Sequence, residues 1–272
     1  MIQELLTALE ECRQQKVRVI ILRAPKGAKV WSAGHDVTEL PKGRRDPLGW
    51  SDPLRMVIRA IEEFPAPIIA MIEGGVWGGG CEVVLACDLL VAATGATFAI
   101  TPAKLGVPYN MTGVLNVMNV MSRAIVNELF YTAQPISAER AERLGAINYL
   151  VSPEQLESFT LTLAKQITRN SPLSIAVIKE ELRMLASAHS LPPRVFRRIK
   201  VCVGLSTTAR IIGRYPGVPG KAETGVQGSN GYSLSTCLVI APQRNAPRRG
   251  RGQDRAVRWQ RPSAQEIARG TN

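Results

Sequence analysis

Strand-like apolar runs that alternate with helical stretches predict an α/β fold built on parallel strands. Three observations carry this reading. The runs at 17–22 and 67–72 are nearly continuous in apolar residues, as strands covered on both faces are. Residues at helical spacing separate them. Each run also leads into a glycine-bearing loop, and the second of those loops opens a helix.

The elements follow in order. Ile2, Leu5, Leu6 and Leu9 share one helical face, which predicts a helix over 2–15. Residues 17–22 form the first strand. A polar stretch with Pro and Gly covers 41–53, and a helix then runs to Phe64. The strand at 67–72 is followed by a short helix over 79–87 and a strand over 89–93. Residues 98–100 can pair as a further strand. After Tyr109 the chain turns helical, and Gly145 is the C-cap of a helix over 137–144. Residues 147–151 form a short strand. Ser152, Pro153 and Gln155 have the order of an N-cap, first-turn proline and N3 residue, and so predict a helix start. Ser171-Pro172 repeats the Ser-Pro start for a helix to about residue 189.

Beyond residue 200 the composition shifts to Gly, Ser, Pro and Arg. One apolar island remains, at 238–241. Such a segment buries too little apolar surface to offset chain entropy, so disorder is expected there. The chain divides accordingly into a domain over 1–199 and a basic tail over 200–272.

The length of 272 residues and 45% hydrophobic content fit one large domain with a tail. The first residues carry Glu4, Glu10 and Glu11 inside a helical pattern, unlike a signal peptide. With no apolar run of ~18 residues, a soluble cytoplasmic protein without membrane contact is expected. Five cysteines form no CxxC pair and read as reduced thiols. The net charge of +12 suggests nucleic acid at first, but residues 201–272 hold eleven Lys/Arg against three acids. The basicity belongs mostly to the tail.

The chemistry concentrates in the two loops, Trp31-Ser32-Ala33-Gly34-His35-Asp36 and Glu73-Gly74-Gly75-Val76-Trp77-Gly78-Gly79-Gly80-Cys81-Glu82. Glycines let a carbonyl oxygen approach bare backbone N–H groups, and the second loop presents them at a helix start. Two such loops side by side can hold one oxyanion from two directions. Tight strand-to-helix turns would need the same glycines, so both readings stand. The only histidines, His35 and His189, share no motif, which disfavours a histidine triad or a metal site.

These loops, together with Arg23-Ala24-Pro25, Glu39-Leu40-Pro41, Arg45-Asp46-Pro47-Leu48, Thr101-Pro102, the Leu105 to Asn110 segment and the Ala176 to Arg183 segment, resemble the crotonase (enoyl-CoA hydratase/isomerase) superfamily. The resemblance covers about residues 1–199. It implies a ββα spiral core with a helical C-terminal region. It implies an acyl-CoA substrate with no metal or organic cofactor beyond the coenzyme A of the substrate, and a homotrimer or dimer of trimers. Family members also carry a β-hairpin before this chain's first helix and end in helices where this chain has its basic tail.

By resemblance, the N–H groups of His35 and Gly79 form the oxyanion hole. Glu82 stands where hydratases of the family carry a catalytic glutamate; a first-turn acid favoured by the helix dipole is the alternative. The second hydratase glutamate corresponds to Pro102, which cannot ionise. Hydration needs paired carboxylates, so this difference argues against a hydratase. Pro102 together with Tyr109 resembles the decarboxylase branch of the family, which implies conversion of methylmalonyl-CoA to propionyl-CoA. Tyr109 is then the residue that orients the departing carboxylate. Thr101, Pro102, Ala33 and Asp36 border the substrate, while Arg23, Lys26, Lys29 and Arg45 are candidates to meet the CoA nucleotide. Trp31 and Trp77 flank the loops as pocket walls or as core. The competing functions are a hydratase or isomerase, a nucleic-acid-binding protein using the Arg/Gly tail, and an inactive fragment.

Overall fold

The computed structural model describes residues 2–36 and 50–187, together with the strand backbones Thr236–Ile240 and Val257–Arg258. The segments around Glu39 and Arg45, and His189 and Cys202, lie outside the described residues. In chain order, α1 (Ile2–Gln14) leads to β1 (Val19–Arg23) and β2 (Val30–Ser32), and α2 (Pro53–Glu62) to β3 (Ile68–Ile72) and β4 (Gly75–Trp77). Helix α3 (Gly79–Leu85) precedes β5 (Leu89–Ala93), β6 (Thr97–Ala99) and a 3-10 turn at Pro102–Leu105. Then come α4 (Met111–Val120), α5 (Arg123–Thr132), β7 (Ile136–Ser137), α6 (Ala138–Arg143), β8 (Tyr149–Val151), α7 (Leu156–Thr168) and α8 (Pro172–Ser187). The described strands end with β9 (Thr236–Ile240) and β10 (Val257–Arg258).

Two sheets result. One has the order β10-β9-β1-β3-β5-β8, with β1, β3, β5 and β8 parallel. The other has the order β2-β4-β6-β7. The pairs β1/β2, β3/β4 and β5/β6 each place their first strand in one sheet and their second in the other. That repeat is the expected ββα spiral. Strands β2 and β4 fall inside the glycine loops, where sequence reading saw only turns. At three residues each, and with glycine in β4, they are too short to show a period of two.

The larger sheet is buried on both faces, as its apolar strands require. Ile20, Leu22, Ile68, Ala70, Ile72, Leu90 and Ala92 face the main core beneath α1, α2 and α3. Val19, Ile21, Ile69, Met71, Val91 and Ala93 face the other way and are covered by Leu156 and Ala164 of α7. Asp52 caps α2 by accepting from Leu54 N at 2.9 Å, with Pro53 in the first turn. Helix α8 starts at the expected Ser171-Pro172 pair. The expected start at Ser152 is different: residues 152–155 close a backbone turn, Gln155 N to Ser152 O at 3.0 Å, and α7 begins after it.

Lys179 ties α8 to the core. Its Nζ donates to Asp88 Oδ2 at 2.7 Å, Ile61 O at 3.1 Å and Ala66 O at 3.3 Å. Asp88 also accepts from Ile68 N at the head of β3. Cys12, Cys81 and Cys87 are free and buried. Burial pushes the Cys12 thiol up to about 11 and the Cys81 thiol up to about 12, so these two are inert thiols. No helix among the described residues is long and apolar enough to cross a membrane.

The tail contributes to the sheet. Strand β9, which contains most of the apolar island, pairs antiparallel with β1 from Val19↔Ile240 to Arg23↔Thr236, and β10 pairs outside it. Without β9, the buried strand β1 would present an open edge, which invites association. Deleting residues 233–272 is therefore expected to lower the melting temperature and to cause concentration-dependent self-association by light scattering; an unchanged melt would deny β9 a role. Separately, Lys179→Met leaves Asp88 without its cation and is expected to cost ~3 kcal/mol in urea unfolding.

Candidate active site

The two glycine loops meet. Gly34 adopts φ +88, a conformation that side-chain-bearing residues rarely take. A Cβ there would stand 2.6 Å from Trp77 O and 2.7 Å from Gly79 N, which only glycine avoids. From the other side, a Cβ on Gly79 would stand 3.4 Å from His35 N. The backbones of the two loops are thus in direct contact, held by parallel pairing of β2 with β4. Gly79 is the first residue of α3, whose early N–H groups have no partner within the helix. Among the described residues, neither the His35 nor the Gly79 N–H donates to a protein acceptor.

A cavity of about 90 Å³ opens at this junction. Ala33, His35, Gly79, Glu82, Thr101, Pro102 and Tyr109 all line it, seven residues singled out in the sequence. Leu54, Leu105, Val107, Pro108 and Asn110 complete an otherwise largely apolar wall.

Glu82 is fully buried on α3. Its Oε2 lies 3.4 Å from Nη1 of Arg55, itself buried on α2. Burial is the dominant influence and pushes the Glu82 carboxyl above its usual range; Tyr109 and Arg55 pull it back, while Asp52 and Glu62 add to the rise. Burial and the adjacent Glu82 also push the Tyr109 phenol well above its ordinary value, so it keeps its proton and remains a donor. The two groups are near enough to feel each other's charge. Even so, the Tyr109 hydroxyl and Glu82 Oε1 are both buried without a hydrogen bond of normal geometry. The edge of Phe130 from α5 fixes the Tyr109 ring, with centroids 4.8 Å apart at 80°.

Helix α4 closes over this pair. A Cβ on Gly113 would stand 2.6 Å from both Glu82 Oε2 and Tyr109 Cε1. Asn110 caps α4, its Oδ1 accepting from Gly113 N at 2.8 Å.

Other residues singled out in the sequence lie elsewhere. Arg23 is buried between Glu73 at 3.7 Å and Glu157 at 3.5 Å, and Lys26 reaches the same Glu157 at 3.7 Å. These two cations stitch their loop to α7. Neither they nor Asp36 line the cavity. Trp31 is core, its indole donating to Met71 O at 2.9 Å, and Trp77 is partly exposed outside the cavity lining.

Sequence reading gave no role to Arg55, Asn110 or Gly113. Arg55 and Glu62 had left a signal, since charges seven apart sit on one face of an apolar helix. Asn110 had one too, as a cap-type residue directly before a helix. Gly113 had none, because its neighbours are set by packing between helices.

This spiral of paired strands, with its two contacting loops, defines a crotonase-type fold. The enoyl-CoA hydratase/isomerase family profile matches residues 1–203, and the chain belongs to that family. It is 51% identical over 199 residues to the methylmalonyl-CoA decarboxylase of Escherichia coli K12, covering 73% of this chain and 76% of that one. It is 36% identical over 168 residues to a carnitinyl-CoA dehydratase of Salmonella enteritidis, covering 62% and 64%. Among solved structures, it is similar to methylmalonyl-CoA decarboxylase complexed with 2S-carboxypropyl-CoA, with a TM-score of 0.75 and 46% identity over 81% of this chain and 88% of that one.

Gly113→Ala is expected to force Glu82 and Tyr109 apart at a destabilisation of ~1–3 kcal/mol. The measurable signature is a loss of turnover in protein that still shows a cooperative melt, whereas Gly145→Ala, strained by its φ of +77 but outside the cavity lining, lowers the melt and leaves turnover intact.

Proposed function

We propose that this chain decarboxylates methylmalonyl-CoA to propionyl-CoA, as a carbon–carbon lyase acting on acyl-CoA. The single observation that carries the reading is the cavity where the two glycine loops, Tyr109 and Pro102 meet, in a chain 51% identical over 199 residues to a methylmalonyl-CoA decarboxylase.

The thioester oxygen accepts from the N–H groups of His35 and Gly79, which form the oxyanion hole. Tyr109 donates to the substrate carboxylate and turns the bond between Cα and the carboxyl carbon perpendicular to the thioester plane. That bond breaks heterolytically. CO₂ leaves, and the electron pair moves through Cα to the thioester oxygen, giving the enolate. Two preorganised donors at that oxygen contribute ~3 kcal/mol each to lowering the barrier. A proton then adds to Cα and yields the propionyl thioester.

The surroundings favour loss of CO₂ over addition of water. Pro102 carries no ionisable group where a second carboxylate would be needed to activate water. Burial shifts Glu82 towards its neutral form, which reduces repulsion of an incoming substrate carboxylate. The apolar wall also leaves the carboxylate poorly solvated, which favours its departure as neutral CO₂. The Arg23–Lys29 stretch just before the first loop stands as the candidate for the CoA nucleotide, through exposed Lys26 and Lys29 rather than Arg23, which is buried between Glu73 and Glu157. Trimeric assembly in the cytoplasm completes the reading, supported by the apolar side chains that α8 exposes at Leu173, Leu182 and Leu185.

Purified full-length protein is expected to release CO₂ from methylmalonyl-CoA and to hydrate crotonyl-CoA poorly or not at all. Tyr109→Phe is expected to lower kcat/KM by ~10- to 100-fold without loss of fold. Folded protein that releases no CO₂ would overturn the assignment.

A further inference from the structure

Asn110 has a conflict that its role as a helix cap does not resolve. Its Oδ1 is committed to Gly113 N at 2.8 Å. Because a backbone N–H can only donate, this bond fixes which end of the amide is which. The Nδ2 end is therefore a donor, and it is buried with no acceptor among the described residues. Desolvated donors without partners are uncommon in folded chains and call for an explanation. Asn110 also lines the cavity, next in sequence to Tyr109, whose buried hydroxyl, beside Glu82, likewise has no hydrogen bond of normal geometry. Two unpartnered donors on consecutive residues thus border one mostly apolar cavity.

The loop donors at His35 and Gly79 already account for the thioester oxygen. What the cavity would still have to accept, on the function proposed above, is a carboxylate with two oxygens. We infer that Asn110 Nδ2 is a second donor to the substrate carboxylate, acting beside Tyr109, so that Asn110 is a specificity-determining residue for carboxylated acyl chains. This rests on the decarboxylase reading for the identity of the ligand, but its geometry is independent of turnover. Two donors on different side chains fix the plane of the carboxylate as well as its position. A single phenol leaves that plane free to rotate.

Binding of unreactive analogues by the full-length protein tests this without catalysis. 2-Carboxypropyl-CoA keeps the carboxylate, and propyl-CoA lacks it. Neither has a thioester carbonyl, so neither can decarboxylate. Asn110→Ser keeps an oxygen to cap α4 and removes the amide donor. By calorimetry it is expected to weaken 2-carboxypropyl-CoA about tenfold while changing propyl-CoA less than about twofold. Asn110→Asp also keeps the cap but sets a carboxylate against the ligand, so a larger selective loss is expected. Equal weakening of both analogues in Asn110→Ser, or no change in either, would overturn the inference. Melting of each variant separates a lost cap from a lost donor. Failure of the wild type to release CO₂ from methylmalonyl-CoA would instead strike the function and leave the binding comparison to judge Asn110 on its own.

Discussion

The contact between two glycine-bearing backbones is the constraint on which the site depends. A methyl group on Gly34 would strike the backbone of Trp77 and Gly79, while one on Gly79 would strike the Leu54 side chain and stand 3.4 Å from His35 N. Parallel pairing of β2 with β4 brings the loops together, and the larger sheet beneath holds both repeats in register. Main-chain donors placed this way need no rotamer to be ordered when charge develops, which is the physical basis of preorganised electrostatic catalysis.

A buried polar layer surrounds that contact. Behind the cavity Arg55 on α2 meets Glu82 on α3, and Asn116 on α4 donates to part-buried Glu62 on α2 at 3.2 Å, with Arg55 near enough to act on both carboxyls. Burial raises both carboxyls despite the arginine between them. Arg55 thus stands against two acids whose charged forms burial disfavours, and Arg183 also acts on Glu62.

Much of this could be read from the chain. The strands were visible because both faces of the larger sheet are buried, which leaves runs such as Val19, Ile20, Ile21 and Leu22 wholly apolar. The same fact hid which residues face which layer. Seven residues of the cavity were found because short motifs fix them locally. Arg23 and Lys26 were selected on charge and family resemblance, neither of which reveals that Glu73 and Glu157 are beside them in space. Gly113 acts through a helix packed across α3, and no local pattern records such neighbours. The strand at Thr236–Ile240 stood inside a segment whose average composition argued for disorder; an apolar stretch of that length suffices for pairing when a buried strand offers an open edge.

That last pairing has a consequence for how the molecule is made. Strand β1 is made well before its outer neighbour β9, which lies more than 200 residues further along the chain. Closing so long a loop is entropically costly and slow compared with local pairing. During synthesis the nascent domain can join β1 to β3 and β5 while its other side waits uncovered. Chaperone engagement in that interval, rather than the stability of the finished protein, would then govern its yield in the cell.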